Sequence, residues 1–216
     1  MLINKDKKFI FIHVQKTAGI SMEQVLQEKF PGTVAWYGRH GRVVDGLGDM
    51  SPEVWREHFT FAFVRNPWDR MVSWYNMIER AQKKMSFWKR LKKKPFRSDL
   101  WNYAIANSTD FESFLENCTA TIFDLGCNKN FSFNQVDYLA DKDGNMMVDF
   151  VGRFENLAAD TDHVFRMLGL SDTSLPKLNH NHHAHYSSWY NDKTRQLVAE
   201  RFARDIALFG YEFEQR

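Results

Sequence analysis

The sequence predicts an α/β fold with a mainly parallel central sheet flanked by helices. Two near-continuous apolar runs, 9–12 and 59–64, have the composition of strands buried on both faces, as in a parallel sheet. Each leads through a short turn into a stretch with helical features, and a third strand-to-helix pair follows near residues 148–168. Strands alternating with helices are the signature of this class.

Taken in order, the first run, from Phe9 to Ile12, is a strand. A loop and a helix from about Ser21 to Lys29 follow, and Pro31-Gly32 ends that helix. After the second strand, Asn66 suits an N-cap and Pro67 the first helical position. This helix reaches about Lys84, with Trp68, Met71, Val72, Tyr75 and Ile78 as its apolar stripe. Residues 83–130 read as a mostly helical insertion, basic and aromatic, within one domain spanning 1–216. The segment from Asp141 to Asn145 reads as a tight turn between two short strands. The segment from Val148 to Phe154 is a strand and that from Asn156 to Leu168 a helix, stopped at Gly169. Asp192 is expected to cap a last helix running to Phe209 and stopping at Gly210.

The 216 residues, 44% hydrophobic and 26% charged, fit one soluble globular domain with its own core. A net charge of +2 excludes a polycation, although the stretch from Lys83 to Arg97 is locally basic. That stretch either grips an anionic glycan or forms a solvated helix face; nucleic acid is not the expected partner. Cys118 and Cys127 form no CxxC pair, which suits a reducing compartment. The N-terminal residues are too polar for a signal peptide, and no run approaches the ~20 apolar residues of a membrane span. A soluble, cytoplasmic protein is expected.

Two strand-to-helix corners carry the chemistry. The first reads His13-Val-Gln-Lys-Thr-Ala-Gly-Ile-Ser21. The first N–H groups of a helix lack intrahelical partners, and its dipole favours an anion there. Lys16 adds a full charge, Thr17 and Ser21 add hydroxyls, and Ala18 and Gly19 permit close approach of the backbone. This is the logic of a phosphate-binding loop without the Walker pattern GxxxxGK[ST]; the alternative is an ordinary turn with a surface lysine. The second corner begins Arg65-Asn-Pro-Trp-Asp-Arg70. Arg65 ends a buried strand, on the ligand-facing edge of an open α/β sheet, and its planar fork suits phosphate; alternatively it pairs with a carboxylate such as Asp69. Ser73 lies about two turns into the following helix. Two such corners suggest a ligand with two separated anionic groups.

These corners resemble the paired motifs of the carbohydrate-type sulfotransferase family, approximately H-I-P-K-T-A-G-T-S and R-N-P-x-D-R-x-V-S-x-Y. The second stands here as Arg65-Asn-Pro-Trp-Asp-Arg-Met-Val-Ser-Trp-Tyr75. The segments 135–139, 150–157 and 209–213 look similar to the same family, so the resemblance spans nearly the whole chain, most like a soluble bacterial member. It implies a P-loop-like three-layer fold and the donor 3′-phosphoadenosine 5′-phosphosulfate (PAPS), with no metal. Gln15, Lys16, Thr17, Ala18, Gly19, Ile20 and Ser21 would surround the 5′-phosphosulfate, and Arg65 and Ser73 the 3′-phosphate. Gln15 replaces the usual proline and Ile20 the usual threonine. A lost hydrogen bond to a charged group costs about 1.5–3 kcal/mol, so Ile20 is expected to weaken donor affinity.

In-line transfer needs charge stabilised on the leaving phosphate, for which Lys16 is the candidate, and a base for the acceptor hydroxyl. His40, in Tyr37-Gly-Arg-His-Gly-Arg42, is the candidate base, with a surface-loop histidine as the alternative. His13 is more readily structural, and Arg39 or Arg42 would meet an anionic acceptor. The run Asn179-His-Asn-His-His-Ala-His185 invites a metal reading, but lacks helical pairing with an acid. The acceptor expected is a sugar or glycan hydroxyl. The competing readings are a nucleotide-dependent kinase and a non-catalytic nucleotide-binding protein of the same fold.

Overall fold

A computed structural model describes residues 1–84, 99–120, 130–171, 174–176 and 184–216. The chain forms two compact units, Met1–Arg65 with Asn134–His182, and Asn66–Phe133 with His183–Arg216.

The first unit holds a five-stranded sheet: β1 (Leu2–Asn4), β2 (Phe9–Ile12), β3 (Val34–Ala35), β4 (Phe59–Val64) and β5 (Phe150–Arg153), in the order β3-β1-β2-β4-β5. β2 and β4 pair in parallel, as do β4 and β5, with Phe11 opposite Phe61 and Phe61 opposite Phe150. The expected parallel core is therefore present. Beside it lies an antiparallel extension, β1 on β2 and β3 on β1. A short turn joins β1 to β2, pinned by Lys7 N donating to Asn4 Oδ1 (2.8 Å), and a connection this tight can only return the chain antiparallel.

Alternation places Phe9, Phe11, Phe61 and Phe63 on one face of the sheet, where Phe11 and Phe61 stack at 5.2 Å. Helix α1 (Gly19–Lys29) covers them with Met22, Val25 and Leu26. The α-helix Leu157–Met167 adds Val164 and Phe165 to the same core. Each such side chain contributes roughly 1.5–3 kcal/mol by leaving water. This core fixes the C-terminal ends of β2 and β4, where the candidate residues stand.

Several boundaries differ from the sequence reading. β5 covers four residues because Asp149 is taken up elsewhere: its Oδ2 accepts from both the N and the Oγ1 of Thr60, each at 2.8 Å. A 3₁₀ turn, Phe154–Asn156, precedes the helix beginning at Leu157. The Asp141–Asn145 turn closes a single bridge, Ala140 to Met146, rather than joining two strands. Asp141 Oδ1 accepts from the amides of Asp143 and Asn145, satisfying the turn locally.

The second unit is helical where described. Its first helix is Pro67–Lys84, and Asp99–Asn107 and Phe111–Cys118 are helices too. Aromatic rings fill its interior: Trp74 meets Phe131 edge-on at 4.9 Å, and Tyr75 meets Phe111 at 5.6 Å. Asn191, not Asp192, caps the helix Asp192–Arg201, its Oδ1 accepting from Thr194 N at 2.8 Å. Asn191 is extended and so lies outside the helix, as a cap must. The expected single last helix is two, broken at Phe202, and the second, Ala203–Phe209, stops at the left-handed Gly210. Most of the basic run 83–97, and residues 179–183 of the histidine-rich run, lie outside the described residues.

Candidate functional site

At the end of β2 the chain turns abruptly, with Val14 N donating to Ile12 O at 3.1 Å. Gln15 and Thr17 are buried, and Lys16 between them is half-buried. Lys16 (φ 72°) and Ala18 (φ 65°) are both left-handed, whereas Thr17 between them is not. Left-handed backbone costs a non-glycine residue roughly 1–2 kcal/mol, so two such residues in one turn need the surrounding packing to hold them. Alternating backbone handedness curls successive N–H groups towards one side, which makes an anion-binding concavity. Thr17 Oγ1 donates inward to Val14 O at 2.9 Å, so its proton braces the loop in this conformation.

Helix α1 then begins at Gly19 with no side-chain hydrogen bond at its N-cap, Ala18, and no acidic residue in its first turn. Ser21 and Met22 N–H groups bond back to Ala18 O, and the amides of Gly19 and Ile20 precede the first such bond. The Ile20 side chain is 49% exposed, while Ser21 is buried. Over 11 residues this helix carries a macrodipole whose positive end meets the loop.

The glycine has a second duty. A Cβ on Gly19 would lie 2.0 Å from His13 Cδ2 and 2.1 Å from Nε2. The His13 ring therefore packs directly against the start of the helix, which only glycine allows. His13 Nδ1 lies 2.7 Å from Glu23 Oε1, and Arg39 Nε lies 2.8 Å from Glu23 Oε2. Burial pushes the imidazole of His13 below its ordinary range, against the pull of Glu23. Burial also works to raise the Glu23 carboxyl, but the His13 hydrogen bond and the Arg39 charge outweigh it and hold the group below its usual range. Because a carboxylate only accepts, the His13 Nδ1 carries a proton and donates it to Glu23 Oε1.

His40 packs edge-on against His13, with ring centroids 4.5 Å apart, and its Nδ1 lies 2.9 Å from His13 O. A carbonyl only accepts, so Nδ1 carries the proton and the basic lone pair of a neutral His40 is on Nε2. Arg42 is drawn into helix capping: its N donates to Asp45 Oδ2 at 2.8 Å and its Nη2 reaches Asp45 Oδ1 at 3.4 Å.

Arg65, buried at the end of β4, donates from Nη1 to Lys16 O at 3.2 Å, joining two positions 49 residues apart in sequence. Its guanidinium carbon lies 3.9 Å from the ring centroid of Phe154. The Gln135 side chain grips its backbone on both sides, accepting from Arg65 N and donating to Arg65 O, each at 2.8 Å. Ser73 is buried in the helix Pro67–Lys84 of the second unit. Asn66 caps that helix, its Oδ1 accepting from Trp68 N at 3.1 Å. Thus Arg65 is joined to Lys16, and His40 to His13, all within the first unit.

Glu23, Gln135 and Phe154 belong to this constellation and escaped sequence reasoning. Glu23 carries a faint signal, a carboxylate beside the buried Met22 and two residues from the buried Val25. Gln135 and Phe154 fall in the segments 135–139 and 150–157 that resemble the family, but their contacts with Arg65 exist only once the strands pair. Among the described residues no group of three or more His, Cys, Asp or Glu is placed to hold a metal ion, and no helix is long and apolar enough to cross a membrane.

The donor set suits a phosphate or sulfate ester: backbone N–H groups at an uncapped helix start, a lysine in the turn and an arginine against it. No curated protein and no solved structure matches the chain. Residues 1–212 match the family model described as the sulfotransferase family. The chain belongs to that family and is a PAPS-dependent sulfotransferase.

Proposed function

We propose that this enzyme is of the carbohydrate type and sulfates a hydroxyl of a sugar or glycan in the cytoplasm, with the first corner gripping the 5′-phosphosulfate of PAPS. The observation that carries the donor assignment is the left-handed Lys16 and Ala18 turn, which feeds the uncapped start of α1. Lys16, the N–H groups from Thr17 to Ile20, and Ser21 hold the 5′ end. Arg65 and Ser73 serve the 3′-phosphate, an assignment that rests on the motif from Arg65 to Tyr75. A sugar acceptor rests on the same family resemblance.

In the transfer, the acceptor oxygen forms a bond to sulfur while the bond from sulfur to the 5′-phosphate oxygen breaks. The electron pair of the broken bond stays on the phosphate, where Lys16 stabilises it. The acceptor proton passes to His40 Nε2, the nitrogen left basic when Nδ1 donates to His13 O. Arg39 and Arg42, the residues expected to meet an anionic acceptor, are engaged with Glu23 and Asp45. No step calls for a metal.

The test is transfer of labelled sulfate from PAPS to a panel of glycans and simple alcohols, by the wild type and by His40→Ala. Labelled product from a glycan, with kcat about 10²–10⁴-fold lower for the variant, is expected. Binding of adenosine 3′,5′-bisphosphate with no transfer to any member of the panel contradicts the acceptor reading. Full kcat for His40→Ala across pH removes His40 as the base.

A further inference from the structure

Glu23 belongs to neither motif, yet both oxygens of its carboxylate are engaged within the site. It stands on α1, its side chain only 8% exposed, and each of its oxygens holds a different partner. Oε1 holds His13, whose ring lies against Gly19 and so sets the start of the helix beneath the donor loop. Oε2 holds Arg39, the residue before the base. His13 closes the circuit, since its carbonyl accepts from His40 Nδ1 and its ring supports the His40 ring.

The backbone carrying His40 needs such support. Tyr37 (φ 52°) and Gly38 (φ 69°) are successive left-handed residues. A Cβ on Gly41 would lie 2.8 Å from Tyr37 Cβ and 2.9 Å from Tyr37 O, so the loop is folded tightly on itself. A loop of this kind keeps one conformation only when its surroundings over-determine it. The Arg39 guanidinium, 56% exposed, reaches inward to the buried carboxylate and ties the loop to α1.

We propose that Glu23 is the positioning residue of the transfer: one carboxylate clamps the imidazole under the donor loop and the arginine beside the base, and so keeps the two halves of the reaction in register. The proposal rests on the reading of the Lys16 loop and His40 as the site. Mispositioning of reacting groups by about 1 Å can cost ~10²-fold in rate, which sets the size of effect to look for.

The experiment compares Glu23→Gln, Glu23→Asp and Arg39→Gln with the wild type. It reads kcat, acceptor KM, affinity for adenosine 3′,5′-bisphosphate, and the His40 ring tautomer by ¹⁵N NMR. Glu23→Gln keeps the shape but offers only one acceptor oxygen for two donors. Its kcat should fall about 10–100-fold, with acceptor KM within about threefold, and His40 should change from one Nδ1–H tautomer to a mixture. Glu23→Asp, which keeps the charge, should recover part of the loss. If Glu23→Gln does not fold, Arg39→Gln decides, because it alters a half-exposed side chain and leaves the His13 bond in place; a kcat loss of about 3–10-fold is expected. A kcat within twofold of wild type, or a His40 tautomer unchanged in Glu23→Gln, overturns the proposal. Absence of any sulfuryl transfer by the wild type would instead remove the functional reading, and the NMR comparison would still decide whether Glu23 orders His40.

Discussion

The two strand-to-helix corners look alike in sequence and are built on opposite principles. After β2 the chain enters α1 through the left-handed Ala18, with no side-chain cap and no acidic residue in the first turn. After β4 it enters the helix Pro67–Lys84 through Asn66, which caps it, and Asp69 sits in the first turn. The second helix start has already spent its favourable electrostatics on its own side chains. The first leaves them for the phosphate of the proposed donor site. A corner that binds an anion through its backbone must go without the usual cap, and here the packing of His13 against Gly19 holds the turn instead. In the proposed site the second corner contributes through a side chain, Arg65, whose backbone Gln135 holds on both sides.

The contrast between the corners is most easily broken at Lys16. Lys16→Ala should lower kcat at least ~10²–10³-fold in a PAPS-dependent assay, as expected for removal of a group that meets charge developing in the transition state. Near-normal turnover would mean that the loop does not serve the leaving phosphate. Next is Gly19→Ala. The added methyl meets the His13 ring, which Glu23 holds in place, so a loss of about 1–3 kcal/mol in unfolding free energy is expected, together with weaker donor binding. An unchanged denaturation midpoint would show that the ring moves aside freely.

Two further variants sharpen the contrast. Ile20→Thr puts a hydroxyl on an exposed position at the uncapped helix start, where one more charge-assisted hydrogen bond is worth about 1.5–3 kcal/mol. Adenosine 3′,5′-bisphosphate should bind about tenfold tighter or more by calorimetry, and no gain would place Ile20 away from the phosphate. The smallest effect is expected at the other corner. Asn66→Ala removes a cap worth about 1 kcal/mol of stability. A urea melt should show that loss, with bisphosphate affinity changed less than in any first-corner variant.

What could be read beforehand follows from the range of the forces involved. The strand Phe9–Ile12 and the glycine stops at 169 and 210 are local, written in hydrophobic runs and in backbone freedom, and the folded chain has them where expected. β1 and β3, of three and two residues, are too short to carry a pattern and exist because β2 offers an edge to β1, and β1 in turn to β3. Asn191 and Asp192 are both good capping residues, and only the backbone path decides between them. At the site, Lys16 and Arg65 were legible as residue types at strand ends. Gly19 was legible as a place of close approach, although the group that approaches it is the His13 ring. Glu23 was not legible, because its value lies in two partners that the fold brings to it.

The most direct measurement follows backbone amides by ¹⁵N–¹H NMR while adenosine 3′,5′-bisphosphate is added to the full chain. Large downfield shifts are predicted for the amides of Gly19 and Ile20, which gain a charged acceptor, and a much smaller shift for Trp68, whose amide Asn66 already holds. Unmoved Gly19 and Ile20 amides at saturating ligand would contradict an anion site built from the uncapped start of α1.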